Sequence, residues 1–93
     1  MKYFDWDKEK NETLKTERGI SFEKVLVSIT EIGLIDIISH PNEKKYSHQK
    51  VMIINIESYI YLVPFVEDKE KIFLKTIIPS RKATKDYLIK NKK

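Results

Sequence analysis

The chain has no cysteine, which excludes disulfide frameworks, thiolate zinc sites and cysteine nucleophiles. Two glycines and three prolines in 93 residues are too few for a linker, a collagen-like chain or a low-complexity tract. Histidine is scarce as well. Only His40 and His48 offer an imidazole for acid–base chemistry near neutral pH. No apolar run approaches the ~20 residues of a membrane-spanning helix. The opening Met1-Lys2-Tyr3-Phe4-Asp5-Trp6-Asp7 lacks the apolar segment of a signal peptide, so a cytoplasmic protein with no membrane partner is expected.

With 41% hydrophobic and 34% charged residues, the composition is that of an ordinary folded chain. Its length suits a single domain over residues 1–93, because one core is affordable at this size and two are not. The net charge is +4, but residues 1–79 carry 12 Lys+Arg against 13 Asp+Glu, whereas residues 80–93 carry 6 against one. The basicity therefore sits at the C-terminus, where it favours nucleic acid or an acidic protein surface. A solvated, Lys-rich helix end would have the same composition.

Tyr3-Phe4-Asp5-Trp6 reads as a first, edge strand. Asp7 is placed to cap the charged helix that follows, and this is a better use for it than a metal pair with Asp5, since no third ligand stands nearby. Gly19 and Ser21 read as the C-cap of that helix and the N-cap of a second. The second helix places Phe22, Val25, Leu26 and Ile29 on one face. From Leu34 the period becomes two, with Ile35 and Ile37 opposed to Leu34, Asp36 and Ile38. Val51–Ile56 reads as a strand covered on both faces, and Glu57-Ser58 as a tight hairpin turn. In the next strand, Tyr59, Tyr61, Val63 and Phe65 share a face, and Pro64 demands a bulge or an edge. Glu67–Lys71 is a charged loop, and Ile72–Ile78 a central strand. Ser80 then caps a last helix. The expected fold is α+β, in the order β-α-α-β-β-β-β-α, with an antiparallel sheet packed against helices.

Several residues in this frame can carry chemistry. Arg81, just after Ser80, has a planar fork that matches two phosphate oxygens, and Lys82 and Lys85 follow within two turns. Lys75 interrupts an apolar strand, so its ammonium must reach solvent, a carboxylate or a cleft. Tyr59 and Tyr61 can stack on unpaired bases or pack under a helix. His40 and His48 would meet at the open end of a hairpin.

Three pieces of the chain then acquire a joint meaning: Phe4-Asp5-Trp6-Asp7 with Lys10-Asn11, next Gly19-Ile20-Ser21-Phe22-Glu23, and finally Ile77-Ile78-Pro79-Ser80-Arg81-Lys82-Ala83-Thr84. In this order they resemble the BrnT family of bacterial type II toxins. The resemblance spans nearly the whole chain, the middle strands matching in hydrophobic character only. It implies a RelE-like ribonuclease fold and growth arrest by metal-independent RNA cleavage, mRNA being the expected target, with no cofactor. It also implies neutralisation by a ribbon-helix-helix antitoxin, with operator DNA contacted only through that antitoxin. Three positions depart from the family's pattern: Arg18 stands where His is frequent, and Thr76 and Asp68 where Arg is frequent.

RNA cleavage needs a base for the 2′-hydroxyl proton and cations for the crowded phosphate. The expected catalytic set is Arg81 and Lys75 on the phosphate with Glu67 or His48 as base, and Lys82, Lys85 and Tyr59 as RNA contacts. The alternative is a non-catalytic, protein-binding or regulatory module of the same fold that holds a small antitoxin-like partner.

Overall fold

A computed structural model describes the chain apart from Met1, Pro41, Glu43, Tyr46, Ser47 and residues 90–93. The Lys-rich end, Lys90–Lys93, to which much of the basicity belongs, therefore lies outside the described residues. The elements are β1 (Tyr3–Trp6), α1 (Lys8–Arg18), α2 (Phe22–Thr30), β2 (Leu34–Ser39), β3 (Lys50–Ile56), β4 (Tyr59–Glu67), β5 (Lys71–Leu74), β6 (Ile78–Pro79) and α3 (Arg81–Thr84), which runs on into a π-helical turn over Lys85–Ile89. The fold is α+β. Among the described residues no helix is long and apolar enough to cross a membrane.

The six strands form one sheet in the order β1-β5-β4-β3-β2, with β6 also pairing with β4. One feature corrects the expectation of a wholly antiparallel sheet, since β1 pairs with β5 in parallel, Tyr3 opposite Lys71 and Trp6 opposite Leu74. The central strand is β4 rather than the segment 72–78. That segment is broken into β5 and β6, and Pro64 supplies the reason. Its carbonyl accepts from the Lys75 N–H (2.8 Å), so its missing N–H faces the same neighbour, and a continuous ladder would lack a donor there. The expected bulge thus appears on the strand beside the proline.

Local chemistry sets the ends of the helices. Asp7 accepts from the N–H groups of Glu9 and Lys10, Ser21 from Lys24 and Ser80 from Ala83, each satisfying a donor of a first turn. Gly19 ends α1 at φ 65°, the left-handed conformation that glycine tolerates best. Both faces of the sheet are covered in part. On one, α1 and α2 bring Leu14, Phe22 and Val25 onto Met52, Ile54, Val63, Phe65, Leu74 and Ile77. On the other, Ala83, Tyr87 and Leu88 pack on Val51, Ile53, Ile60 and Leu62.

The edge strand β2 departs from its simple alternation. A bulge between Leu34 and Asp36 adds one residue and turns Leu34 to the side of Ile37, where it packs against the core; a single inserted residue exchanges the faces of a strand.

Candidate nucleic-acid interface

The strand-to-helix junction is built by a short chain of hydrogen bonds. The Ser80 N–H donates to the Ile60 carbonyl (3.0 Å). The Thr84 hydroxyl donates to the Ser80 carbonyl (2.7 Å) and accepts from the Ile60 N–H (2.8 Å). Thr84, only 9% exposed, thereby continues the β4 ladder with a side chain and holds the start of α3 against the sheet. Arg81 leaves this junction into solvent, and its guanidinium has no hydrogen bond or ion pair with any described residue. Lys82 and Lys85 are exposed on the same short helical segment.

Lys75 lies on the same edge of β4. Its backbone anchor, Pro64, is four residues along the strand from Ile60, roughly 13 Å at ~3.3 Å per residue. Two long cationic side chains across that gap suit neighbouring phosphates of one strand. The Lys75 ammonium sits 5.8 Å from the centroid of the Phe73 ring, and the Lys71 ammonium 5.6 Å from the same centroid. Lys71 is also tied to Asp5 (3.3 Å), and this hydrogen bond raises its pKa above the ordinary lysine value. Phe73 pairs with Val66 on one side and Asp5 on the other, so these residues share the face onto which α3 packs. The helical cover there ends on β3 and β4 residues.

The two expected bases lie elsewhere. Glu67 ends β4, seven residues from Ile60 and so roughly 23 Å from the start of α3. It falls on the face of Phe65 in the strand's alternation, whereas Lys75 falls on that of Phe73. An ion pair with Lys2 (2.6 Å) holds its carboxyl below the usual value, with Lys50 assisting, which weakens it as a base. His48 is exposed in the β2–β3 connection and bonds to no described residue. Continuing the pairing of Lys50 with Phe65 brings it level with Glu67. The His40 N–H donates to the Gln49 carbonyl (3.3 Å), next to the Ser39–Lys50 pair, so both histidines sit at the loop end of the β2–β3 hairpin and not at its open end. Measured along β4, the structure therefore sets Lys75 between the two groups, roughly 13 Å from the Arg81 junction and roughly 10 Å from Glu67, while Glu67 and His48 lie far from Arg81. Tyr59 lies at the Arg81 end of β4 but packs edge-on against Tyr61 (5.6 Å), on the strand face opposite Ile60. Among the described residues no three His, Asp or Glu side chains cluster as metal ligands.

Residue reasoning missed Phe73 and Lys71. The signal was available in the alternation Lys71-x-Phe73-x-Lys75, which puts an aromatic between two cations on one strand face. Conversely, Trp6 and Asn11 of the N-terminal pieces, and Arg18 beside them, turn out to be packing devices. Trp6 stacks on Phe22 (5.6 Å, 22°). The Asn11 side chain accepts from the Phe22 N–H (2.8 Å) and donates to Glu23 (2.9 Å). Arg18 donates to the Ile77 carbonyl (2.8 Å), which serves the backbone where the strand is broken. No family model, curated protein or solved structure matches this chain.

Proposed function

We propose that the chain acts on RNA as a cytoplasmic toxin of the BrnT type, with a RelE-like arrangement of its α+β fold, and that a small ribbon-helix-helix antitoxin neutralises it. The observation that carries this reading is the exposed Arg81, with no partner among the described residues, on the same edge of β4 as Lys75. A guanidinium of this kind is free to grip a phosphate in two-point fashion. The order of the sequence pieces supports the family.

In this reading Arg81 and Lys75 bind the scissile phosphate and its neighbour and stabilise the charge that builds as the 2′-oxygen attacks. Glu67 and His48 are too distant to share a phosphate with Arg81, so the 2′-hydroxyl proton leaves to solvent; as the 2′-oxygen bonds to phosphorus the P–O5′ bond breaks, and water gives the departing 5′-oxygen its proton. Cleavage then rises with pH as hydroxide does, without the bell that paired acid and base groups produce.

Inducible expression of the chain alone, beside Arg81→Ala, tests the proposal by growth and total RNA integrity. Arrest with RNA loss, relieved by the substitution, is expected. A folded Arg81→Ala protein that arrests growth equally would remove Arg81 from the mechanism. A second reading, a non-catalytic module for an antitoxin-like partner, draws on the edge strand β2, where Ile35, Ile37 and Ile38 are 42%, 46% and 37% exposed. Unimpaired growth and intact RNA with soluble protein would favour it.

A further inference from the structure

The face that α3 leaves bare adjoins the phosphate contacts assigned above. Tyr3 and Asp5 of β1, Lys71 and Phe73 of β5, and Val66 of β4 fall on it, Tyr3 opposite Lys71, and Phe73 between Asp5 and Val66. Tyr3 is 56% exposed and Phe73 half-buried. Beside the Phe73 ring opens a cleft of about 340 Å³ lined by Val66, Glu67, Asp68, Lys71 and Phe73.

Each part has a use toward one kind of ligand. An aromatic ring on an open sheet offers a stacking surface to any base that is not already stacked. The Lys71 and Lys75 ammoniums lie over this ring, 5.6 and 5.8 Å from its centroid, and Lys71 also pairs with Asp5. A base that stacks on the ring displaces both long side chains, which then reach the phosphates on either side of it. Asp68 closes the cleft. Its Oδ1 accepts from the N–H groups of Lys71 and Glu70 (2.9 and 2.8 Å), which fixes the carboxylate and holds its pKa below the usual value. Its Oδ2 has no hydrogen bond to a described residue and can accept one N–H from a base edge, a donor that all four bases present.

We propose that this cleft is a nucleotide subsite, in which an unpaired base of single-stranded RNA stacks on Phe73 while Lys71 and Lys75 take its flanking phosphates. Only the choice of RNA rests on the toxin reading. Stacking and phosphate contact do not use the 2′-hydroxyl, so the same strand as DNA binds too, whereas a duplex, whose bases are already stacked and paired, does not.

The test is fluorescence anisotropy of a labelled eight-nucleotide, U-rich RNA with one central G, titrated with the full chain at two salt concentrations. Phe73→Leu keeps an apolar side chain and removes the stacking ring. It is expected to weaken binding by about 5- to 100-fold, as loss of one base–aromatic stack does. Lys75→Gln is expected to lower the salt slope by about one. Absence of binding by the wild-type chain, or wild-type affinity and salt slope in both variants with their folds intact, overturns the subsite. If Phe73→Leu fails to fold, Lys75→Gln decides alone, because that side chain is exposed and can be lost without disturbing the core. RNA binding that follows these expectations in a protein that neither arrests growth nor degrades RNA would sink the toxin reading and leave the subsite standing.

Discussion

Asn11 is the residue whose removal the structure makes most consequential for the fold. It is 3% exposed and works in both directions. Its side-chain oxygen accepts from the buried Phe22 N–H, and its amide donates to Glu23. Phe22 opens α2, so its N–H has no partner within the helix. Asn11→Ala leaves that donor buried and unpaired, which costs about 1–3 kcal/mol. The lost bond to Glu23 adds little, since that carboxylate is exposed and rehydrates. A net loss of about 2 kcal/mol lowers the melting temperature of a domain this size by roughly 8–16 °C, and urea denaturation read by circular dichroism gives the free energy directly. Asn11→Asp separates the two bonds. It keeps the acceptor for Phe22 but sets a carboxylate against Glu23, whose pKa is lowered first of all by the Asn11 amide. The like charges raise the pKa of the new pair, so the loss is full at neutral pH and recovers as pH falls through that raised value. Stability of Asn11→Ala within about 0.5 kcal/mol of wild type, the range of an ordinary surface substitution, would refute this account of the buried amide.

Thr84→Val should cost about 1–3 kcal/mol by leaving the Ile60 N–H without its acceptor, and Thr84→Ser should recover most of it, both read from denaturation midpoints. Glu57 and Ser58 occupy the β3–β4 turn at φ 53° and 67°, a conformation suited to Asn-Gly. The double substitution Glu57→Asn, Ser58→Gly should therefore raise stability by about 1 kcal/mol, less whatever the Lys24–Glu57 ion pair contributes, and an unchanged midpoint would count against strain at this turn. Gly33→Ala should destabilise strongly, because the added Cβ would meet the Ser28 carbonyl oxygen at 2.6 Å and that of Asn55 at 2.9 Å; thermal melts provide the check. Glu67, held below 4.5 chiefly by the Lys2 hydrogen bond, contributes stability that is present above 4.5 and lost as pH falls through its lowered value. Lys2→Met should raise the Glu67 pKa in a carboxyl NMR titration and flatten the stability profile over that acid window.

Much of the frame was legible because it depends on local chemistry. Asp7, Gly19, Ser21 and Ser80 act where a cap is needed, and the apolar spacing from Phe22 to Ile29 places that helix face on the core, Phe22 and Val25 fully and Leu26 and Ile29 in part. The continuous apolar run of β3 does lie under helices on both faces. The alternation of Tyr59, Tyr61, Val63 and Phe65 also appears as expected. Less visible was the parallel pairing of β1 with β5, because two helices separate β1 from the rest and nothing in its four residues names a partner. The break between β5 and β6 belongs to the same class, since its cause, Pro64, stands more than ten residues upstream.

By itself the sequence determined the element types, the helix caps and the α+β class, because caps, periods and turn residues act over a few positions. Only the tertiary structure decided which of these came together. It set Lys75 beside Phe73 and Lys71, kept Glu67 and His48 far from Arg81, and turned Asn11 and Arg18 into supports for distant backbone. The physical reason is that strand order and register are settled by burial and by ladder donors across the whole sheet, and these fix distances between residues far apart in the chain that no local pattern encodes.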